Sequence, residues 1–550
     1  MLGLSPWPAL VAVVIATAVA WLCSRQTWSD RLASAATIAA GALESRHAAW
    51  VIGVITSALV WFAWGGLART PVIHDEAAYL LQAELFARGA WSGQSPVIPE
   101  FFEQLYVLVT PVMASKYPPG HSLLLTPGAM VGIPGLPVLL LNGLTGALIF
   151  TLARRAAGPP VGLLTWVLWV TCFPAIYFRT GYLSEVTSGA GCLAAWWYLV
   201  RWRDTGRQAS FVGVALSVGL VAITRPLTAV AIAIPMAVVV VRDLRLSGRW
   251  RDLVLGVAVG AACVAVIPLW SARTTGSASL TPLEVYTRDY VPFDKLGFGV
   301  DTAARPLRDT PRDMRTTNES FREEHRRHTV STLPRTLASR LRMIARDMWY
   351  DWRLGLAPFA VIALASRPGA AWFALATLGA HVGLYLLYAH PAFWTVYYLE
   401  STPVLAFVTA AGIVQVIRWA GRGERRATTI AATVLVLAAC VPGAMTVRLL
   451  RDQVNRDHVY FERFDALVSS IPERSIVFVR YSPAHNDNLS LVRNAAWPAE
   501  ARVWLAHDRG ADNGRLMAAA PGRRPYVFDE ASWTLRPLEH NAGIGDTPHP

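Results

Sequence analysis

The sequence predicts an α-helical polytopic membrane protein with exoplasmic loops and a small C-terminal α/β exoplasmic domain. Three observations carry that reading. Hydrophobic residues make up 54% of 550 and charged residues only 16%, with a mean hydropathy of +0.37. Apolar runs recur along the chain at the length of a membrane-crossing helix, roughly 20 residues for a hydrocarbon core about 30 Å thick. The net charge of +13 sits mostly in short basic clusters between those runs, which reads as topology signalling and argues against a nucleic-acid partner. The five cysteines lie within or at the ends of apolar runs without ligand spacing, so neither a disulfide framework nor a zinc site is indicated.

The first run, residues 6–23, has no basic segment before it and no small-residue cleavage site close after it, so a retained helix is expected rather than a cleaved leader. Residues 24–48 carry Arg25, Arg31 and Arg46 and are expected on the cytoplasmic side. A second run over 49–66 then places the following segment outside. Further runs near 134–153, 160–178, 186–200, 209–224, 227–241, 252–271, 354–366, 370–388, 396–415 and 427–446 bring the expectation to about twelve spans. Basic clusters at Arg154–Arg155, 201–207, 242–251, Arg367 and 418–426 follow alternate spans and fall on the cytoplasmic side of this path. The stretch 119–137 is apolar but interrupted by Pro and Gly, as a sheltered re-entrant segment would be.

This path leaves three segments outside: a first loop over 67–120, a loop over 272–353 and the tail from 447. The predicted organisation is an N-terminal helix and cytoplasmic segment (1–48), a transmembrane catalytic module (49–446) and an exoplasmic C-terminal domain (447–550). In the tail a helix over 458–471 precedes strand patterns at 474–481, 501–508 and 525–530.

Residues with chemistry collect in the outer segments. Asp75 and Glu76 precede a helix-forming stretch, 77–89. As plain structure they would cap that helix and complement its dipole. As chemistry they offer a general base at the membrane surface or a ligand pair for a divalent cation. Lys116 precedes a Pro-Pro-Gly turn after Tyr117, and other outer tips carry Arg179 and Glu185, Arg225, and His390, Tyr397, Tyr398 and Glu400. Charges at helix ends are costly when unpaired, so their convergence predicts one shared polar cavity. Acids and cations together suit a hydroxyl nucleophile and a phosphate leaving group.

The acidic pair within HDEAAYLLQAELFARG, the following KYPPG and the long multi-span body resemble the GT-C superfamily of membrane glycosyltransferases. The resembling branch holds the protein O-mannosyltransferases and the aminoarabinose and galacturonic acid transferases of lipid A and lipopolysaccharide core. The resemblance spans 49–420 and is strongest in 70–125. It implies a polyprenyl-phosphate-linked sugar donor and a lipid, glycan or protein acceptor. It also implies Asp75 as general base with Glu76 as its neighbour, and Glu185 as a second acid. Lys116 maps to the donor-phosphate lysine, with Tyr117 interposed before the prolines, and Arg225 joins it in stabilising the leaving phosphate. Tyr398 corresponds to an Arg-Tyr element in which Tyr397 replaces the arginine. His74 and Glu76 are the candidates for a divalent cation, whose use is left unassigned. The expected reaction is an inverting transfer of a hexosyl or pentosyl group at the outer face of a bacterial inner membrane, facing the periplasm or exterior. A lipid-linked sugar flippase or secondary transporter is the alternative.

Overall fold

The computed structural model describes residues 40–538, apart from 350, 367, 423, 424, 487 and 488, together with 14, 17–23, 30, 31, 34 and 38. Residues 6–13 of the expected first span and Arg25 of the expected cytoplasmic segment lie outside the described residues, as does Arg367.

The bundle begins with α1 (Ala48–Trp64). The first loop carries α2 (His74–Ala87) and three short antiparallel strands, β1 (Gly93–Gln94), β2 (Val107–Leu108) and β3 (Val112–Ser115), with β3 central. It ends in α3 (Gly120–Met130), which packs along α2. The membrane body continues as α4 (Gly135–Ala157), α5 (Pro159–Val170), α6 (Glu185–Thr205), α7 (Gln208–Ala222), α8 (Pro226–Ser247), α9 (Trp250–Val264) and α10 (Val266–Thr275). The second loop holds α11 (Pro282–Tyr290), α12 (Arg312–Arg327) and α13 (Leu333–Met348). Then come α14 (Phe359–Ser366), α15 (Pro368–Tyr385), a 3-10 turn (Thr395–Ser401) and α16 (Thr402–Ala420).

The bundle core packs α5, α6 and α16 through Leu168, Trp169, Ala195, Trp202, Ala406 and Ile413, all nearly or wholly buried. Its outer faces are apolar as well: Val254 and Val257 on α9 are 71% and 62% exposed. A continuous apolar exterior of this kind is stable only against lipid, and the chain is an integral membrane protein. Among the described residues, five helical stretches are long and apolar enough to cross a membrane: Gly135–Ala157, Pro226–Ser247, Trp250–Thr275, Thr395–Ala420 and Ala427–Ser469. Ala48–Trp64, Pro159–Val170, Gln208–Ala222 and Arg353–Ser366 are apolar but shorter. Local sequence shortens some of the twelve expected runs. Gly158, at φ +97°, and the prolines after it break the chain between α4 and α5, and α6 ends in Arg201, Arg203 and Asp204.

The last helix, α17 (Arg425–Ser469), has 45 residues and runs about 65 Å. The expected domain boundary at 446/447 falls inside it, so its apolar first half and its amphipathic second half form one continuous helix with Pro442 inside. It leads into a sheet of order β5-β4-β6-β7, made of β4 (Ser475–Arg480), β5 (Val503–His507), β6 (Arg524–Asp529) and β7 (Thr534–Pro537), with α18 (Asn513–Ala519) between β5 and β6. Strand β4 pairs in parallel with β5 and β6, and β7 closes the edge antiparallel to β6.

One sheet face buries Val477, Val479 and Phe528 against Phe461 and Phe464 of α17. The other face buries Ile476, Phe478 and Trp504 against Phe101 and Phe102, which belong to the first loop. Polar ties reinforce the join: Arg69 to Glu462 at 2.8 Å, Thr70 to Asp465 at 2.8 Å and His507 to the Glu103 carbonyl at 2.8 Å. The second loop packs Tyr286, Tyr290, Phe293 and Met314 on Leu105 and Leu108. First loop, second loop and tail thus share their cores at one end of the bundle.

Candidate active site

The site is built on the N-terminus of α2. Neighbouring helical residues point about 100° apart, and that rotation separates Asp75 from Glu76. Glu76 turns inward, where Oε2 accepts from the backbone N–H of Val72 at 2.8 Å and of Ile73 at 3.3 Å. Its Oε1 accepts from the N–H of Tyr182 at 3.1 Å. The carboxylate therefore caps its own helix and ties it to the loop before α6. Gly181 is required there, since a Cβ would stand 1.8 Å from Oε1. Burial pushes the Glu76 carboxyl up to about 7, against these three backbone bonds.

Asp75 faces the other way and accepts a 2.5 Å hydrogen bond from the Tyr117 hydroxyl. Burial raises its pKa above the ordinary carboxylate range, while the Tyr117 bond and the charges of Lys116 and Arg225 pull it back.

Lys116 follows β3, whose register is set by Val107 opposite Ser115 and Leu108 opposite Ala114. Its ammonium is buried in a cage of three tyrosines, 4.0 Å from the ring centre of Tyr106, 4.9 Å from Tyr286 and 5.1 Å from Tyr117. Such faces attract a cation through the ring quadrupole. Tyr106 holds its position with φ +66°, an uncommon conformation for a non-glycine residue, and its N–H donates to the Tyr286 hydroxyl at 3.1 Å. Burial lowers the Lys116 pKa, while Asp294 and Asp75 work in the opposite direction.

Arg225, at the start of α8, spreads its fork over three partners. It pairs with Glu185 of α6, donates to the Tyr385 hydroxyl at 3.0 Å and lies 3.5 Å from Glu400. The Tyr397 ring is 5.5 Å away. Ser188 also donates to Glu400. Asp75, Lys116, Glu185 and Arg225 thus form one buried polar cluster, with Lys116 and Arg225 in electrostatic reach of Asp75.

Other expected residues are placed elsewhere. Tyr398 sits at the kink of its 3-10 turn, with φ −115° and ψ 15°. Its hydroxyl meets His390 Nε2 at 3.1 Å, so Tyr397 is the member of the pair that faces Arg225. Arg179 turns into the bundle, where it donates to Asn142 at 3.2 Å and lies 5.1 Å from the Trp169 ring. Of the cation candidates His74 and Glu76, Glu76 has both oxygens accepting backbone N–H groups. Among the described residues no group of three or more His, Cys, Asp or Glu side chains is arranged to hold a metal ion. Tyr106, Tyr286 and Asp294 entered the site without any signal in the sequence, whereas Tyr117 was marked by its place beside Lys116.

No protein-family profile matches the chain, and no curated protein matches it. Its fold does match solved structures. ArnT from Cupriavidus metallidurans, bound to undecaprenyl phosphate, superposes with a TM-score of 0.51 at 14% identity, covering 89% of this chain and 91% of that one. The apo state of ArnT from the same organism gives a TM-score of 0.52 at 15% identity, covering 88% and 93%. The membrane bundle capped at one end by interlocked loops and a terminal sheet is therefore the fold that this chain shares with the ArnT structures.

Proposed function

We propose that the protein is a glycosyltransferase that moves a sugar from a polyprenyl-phosphate donor to an acceptor hydroxyl at the exoplasmic face. The observation that carries this reading is the opposition of Asp75, held by Tyr117, to the caged Lys116 in one cavity with Arg225. Undecaprenyl phosphate bound to the structurally similar ArnT supports the same donor class here.

In the proposed reaction Asp75 takes the proton of the acceptor hydroxyl as its oxygen attacks the anomeric carbon. The new C–O bond forms while the bond from that carbon to the phosphate oxygen breaks, and the electron pair leaves with the lipid phosphate. Attack from the face opposite the leaving group inverts the anomeric centre. Lys116 and Arg225 balance the charge gathering on the phosphate. Glu185 and Glu400 hold the Arg225 fork in place, and Glu76 positions Asp75 by fixing the start of α2. The protein sits in a bacterial inner membrane with about twelve spans, its tail and site on the periplasmic or exterior side. Whether the group transferred is a hexose or a pentose belongs to the donor.

The purified protein, given a polyprenyl-phosphate sugar in nanodiscs with a mixed envelope-glycolipid acceptor, is expected to release lipid phosphate and form a glycosylated product. A donor that stays intact but crosses the bilayer would replace this reading with a flippase. A positioned base contributes about 10²–10⁴-fold, so Asp75→Asn should lose that much turnover and remain folded. Near-normal transfer by that variant sinks Asp75 as the base.

A further inference from the structure

The second loop places an ion pair against the cavity that the reaction above does not use. Asp294 follows Phe293, which is fully buried in the core shared by the two loops. His325 projects from α12 with Nδ1 2.9 Å from the Phe321 carbonyl and Nε2 3.4 Å from Asp294 Oδ1. Nδ1 thus meets the Phe321 carbonyl, while Nε2 lies in ion-pair range of the Asp294 carboxylate without a hydrogen bond. With Nδ1 carrying the one N–H of a neutral imidazole, a proton on Nε2 makes the imidazolium that the Asp294 charge favours. On its far side Asp294 lies in electrostatic reach of Lys116, Tyr106, Tyr286, Tyr388 and Tyr397. The charges alternate across the cavity wall: Asp75, Lys116, Asp294, His325.

We infer that Asp294 and His325 are a positioning pair for Lys116, the imidazolium neutralising Asp294 so that the lysine stays available to the donor phosphate. This rests on the reading that the cavity takes a lipid-linked phosphate. When His325 loses its proton, the imidazolium charge that faced Asp294 is gone, and Lys116 is left to balance the carboxylate. The ammonium is then drawn to Asp294, and a second anion is disfavoured. Phosphate binding should weaken as pH rises through the His325 pKa. Burial disfavours the imidazolium, but Asp294, the Phe321 carbonyl and Glu324 outweigh it and hold that pKa above 6.5. The other charged groups around the ring are His328 and, across Phe293, Arg322, whose guanidinium lies 4.6 Å from that ring.

The test needs no turnover: undecaprenyl phosphate binding to the purified full-length protein in nanodiscs, from about pH 6 to about pH 9, a window that brackets histidine titration. Wild type should bind less tightly at the alkaline end. His325→Gln should be weak throughout by about tenfold, the effect of one pKa unit of interaction. His325→Lys, which keeps the charge, and Asp294→Asn, which removes the carboxylate that histidine masks, should both bind without the alkaline loss. Because Asp294→Asn is nearly isosteric, it tests the coupling even if His325→Gln fails to fold. An unchanged alkaline loss in His325→Lys and Asp294→Asn, or wild-type binding by a folded His325→Gln, overturns the pair's role and leaves the donor reading intact. Wild type that binds no undecaprenyl phosphate at any pH defeats the donor reading itself, and the pair's role with it.

Discussion

Asp75 and Glu76 are adjacent acids at a helix start, and nothing in the sequence ranks one above the other as a base. What separates them is the identity of their partners. Two of the three N–H groups on Glu76 are local, but the third comes from Tyr182, 106 positions away, and no local pattern encodes it. Glu76→Gln replaces one accepting oxygen with an NH2 group that must face backbone donors. Loss of a buried hydrogen bond costs about 1–3 kcal/mol, so thermal unfolding in detergent should fall accordingly. Gly181→Ala should act the same way, through the clash at Oε1. If Glu76 were the base instead, its amide would abolish transfer in a protein of unchanged stability. For Asp75 the informative partner is Tyr117, whose hydrogen bond favours the ionised carboxylate. A base must be ionised to act, so activity is lost as pH falls through the raised Asp75 pKa. Tyr117→Phe removes an effect that lowers this pKa and keeps the ring that cages Lys116. A hydrogen bond to a charged group is worth about 1.5–3 kcal/mol, or about one to two pH units. The acid limb of kcat/KM should move toward higher pH by that amount, and an unmoved limb would remove Tyr117 from the reaction.

Among the elements, the terminal sheet is what holds the first loop in shape. Strands β4, β5 and β6 coincide with the alternating apolar patterns at 474–481, 501–508 and 525–530, because strand patterning is local. Their partners were not legible: Phe101 and Phe102 lie in a loop far upstream, yet both are fully buried against Ile476, Phe478 and Trp504. Residues Ala78, Leu81 and Leu85 of α2 likewise pack with Ala496. The helix that carries Asp75 is therefore braced on the tail. Phe102→Ala should cost about 3–5 kcal/mol, as for other buried aromatic truncations. The loss should appear in thermal unfolding and as faster proteolysis of both the first loop and the tail. Cleavage confined to the tail would mean that the two do not share one core. The 3-10 turn Thr395–Ser401 teaches the converse lesson. Its tyrosines were visible in the sequence, but the kink at Tyr398 decides that Tyr397 reaches the cavity, and a kink has no composition.

At the scale of the whole molecule the charges are sorted by end. Helix α6 begins with Glu185 in the cavity and finishes with Arg203, which pairs with Asp243 at 2.5 Å. Helix α8 begins beside Arg225 and finishes near Arg245. The 22 residues of α8, which are long and apolar enough to cross a membrane, span about 33 Å, close to the thickness of a hydrocarbon core, so Arg225 and the arginine-rich end lie on opposite membrane surfaces. This polarity was the most legible property of the sequence, since apolar run length and basic clusters act through the bilayer and need no tertiary partner. The positive-inside rule predicts that the end with Arg155, Arg203 and Arg249 is cytoplasmic and that the site faces out. Single cysteines in a background lacking the five native ones report this directly. Arg155→Cys and Glu500→Cys replace side chains 57% and 63% exposed at the two ends. Position 500 should react with a membrane-impermeant maleimide in intact spheroplasts, and position 155 only after permeabilisation. The opposite pattern would put the cavity in the cytoplasm, where a donor presented on the outer leaflet could not reach Lys116, and the proposed reaction would have to be abandoned.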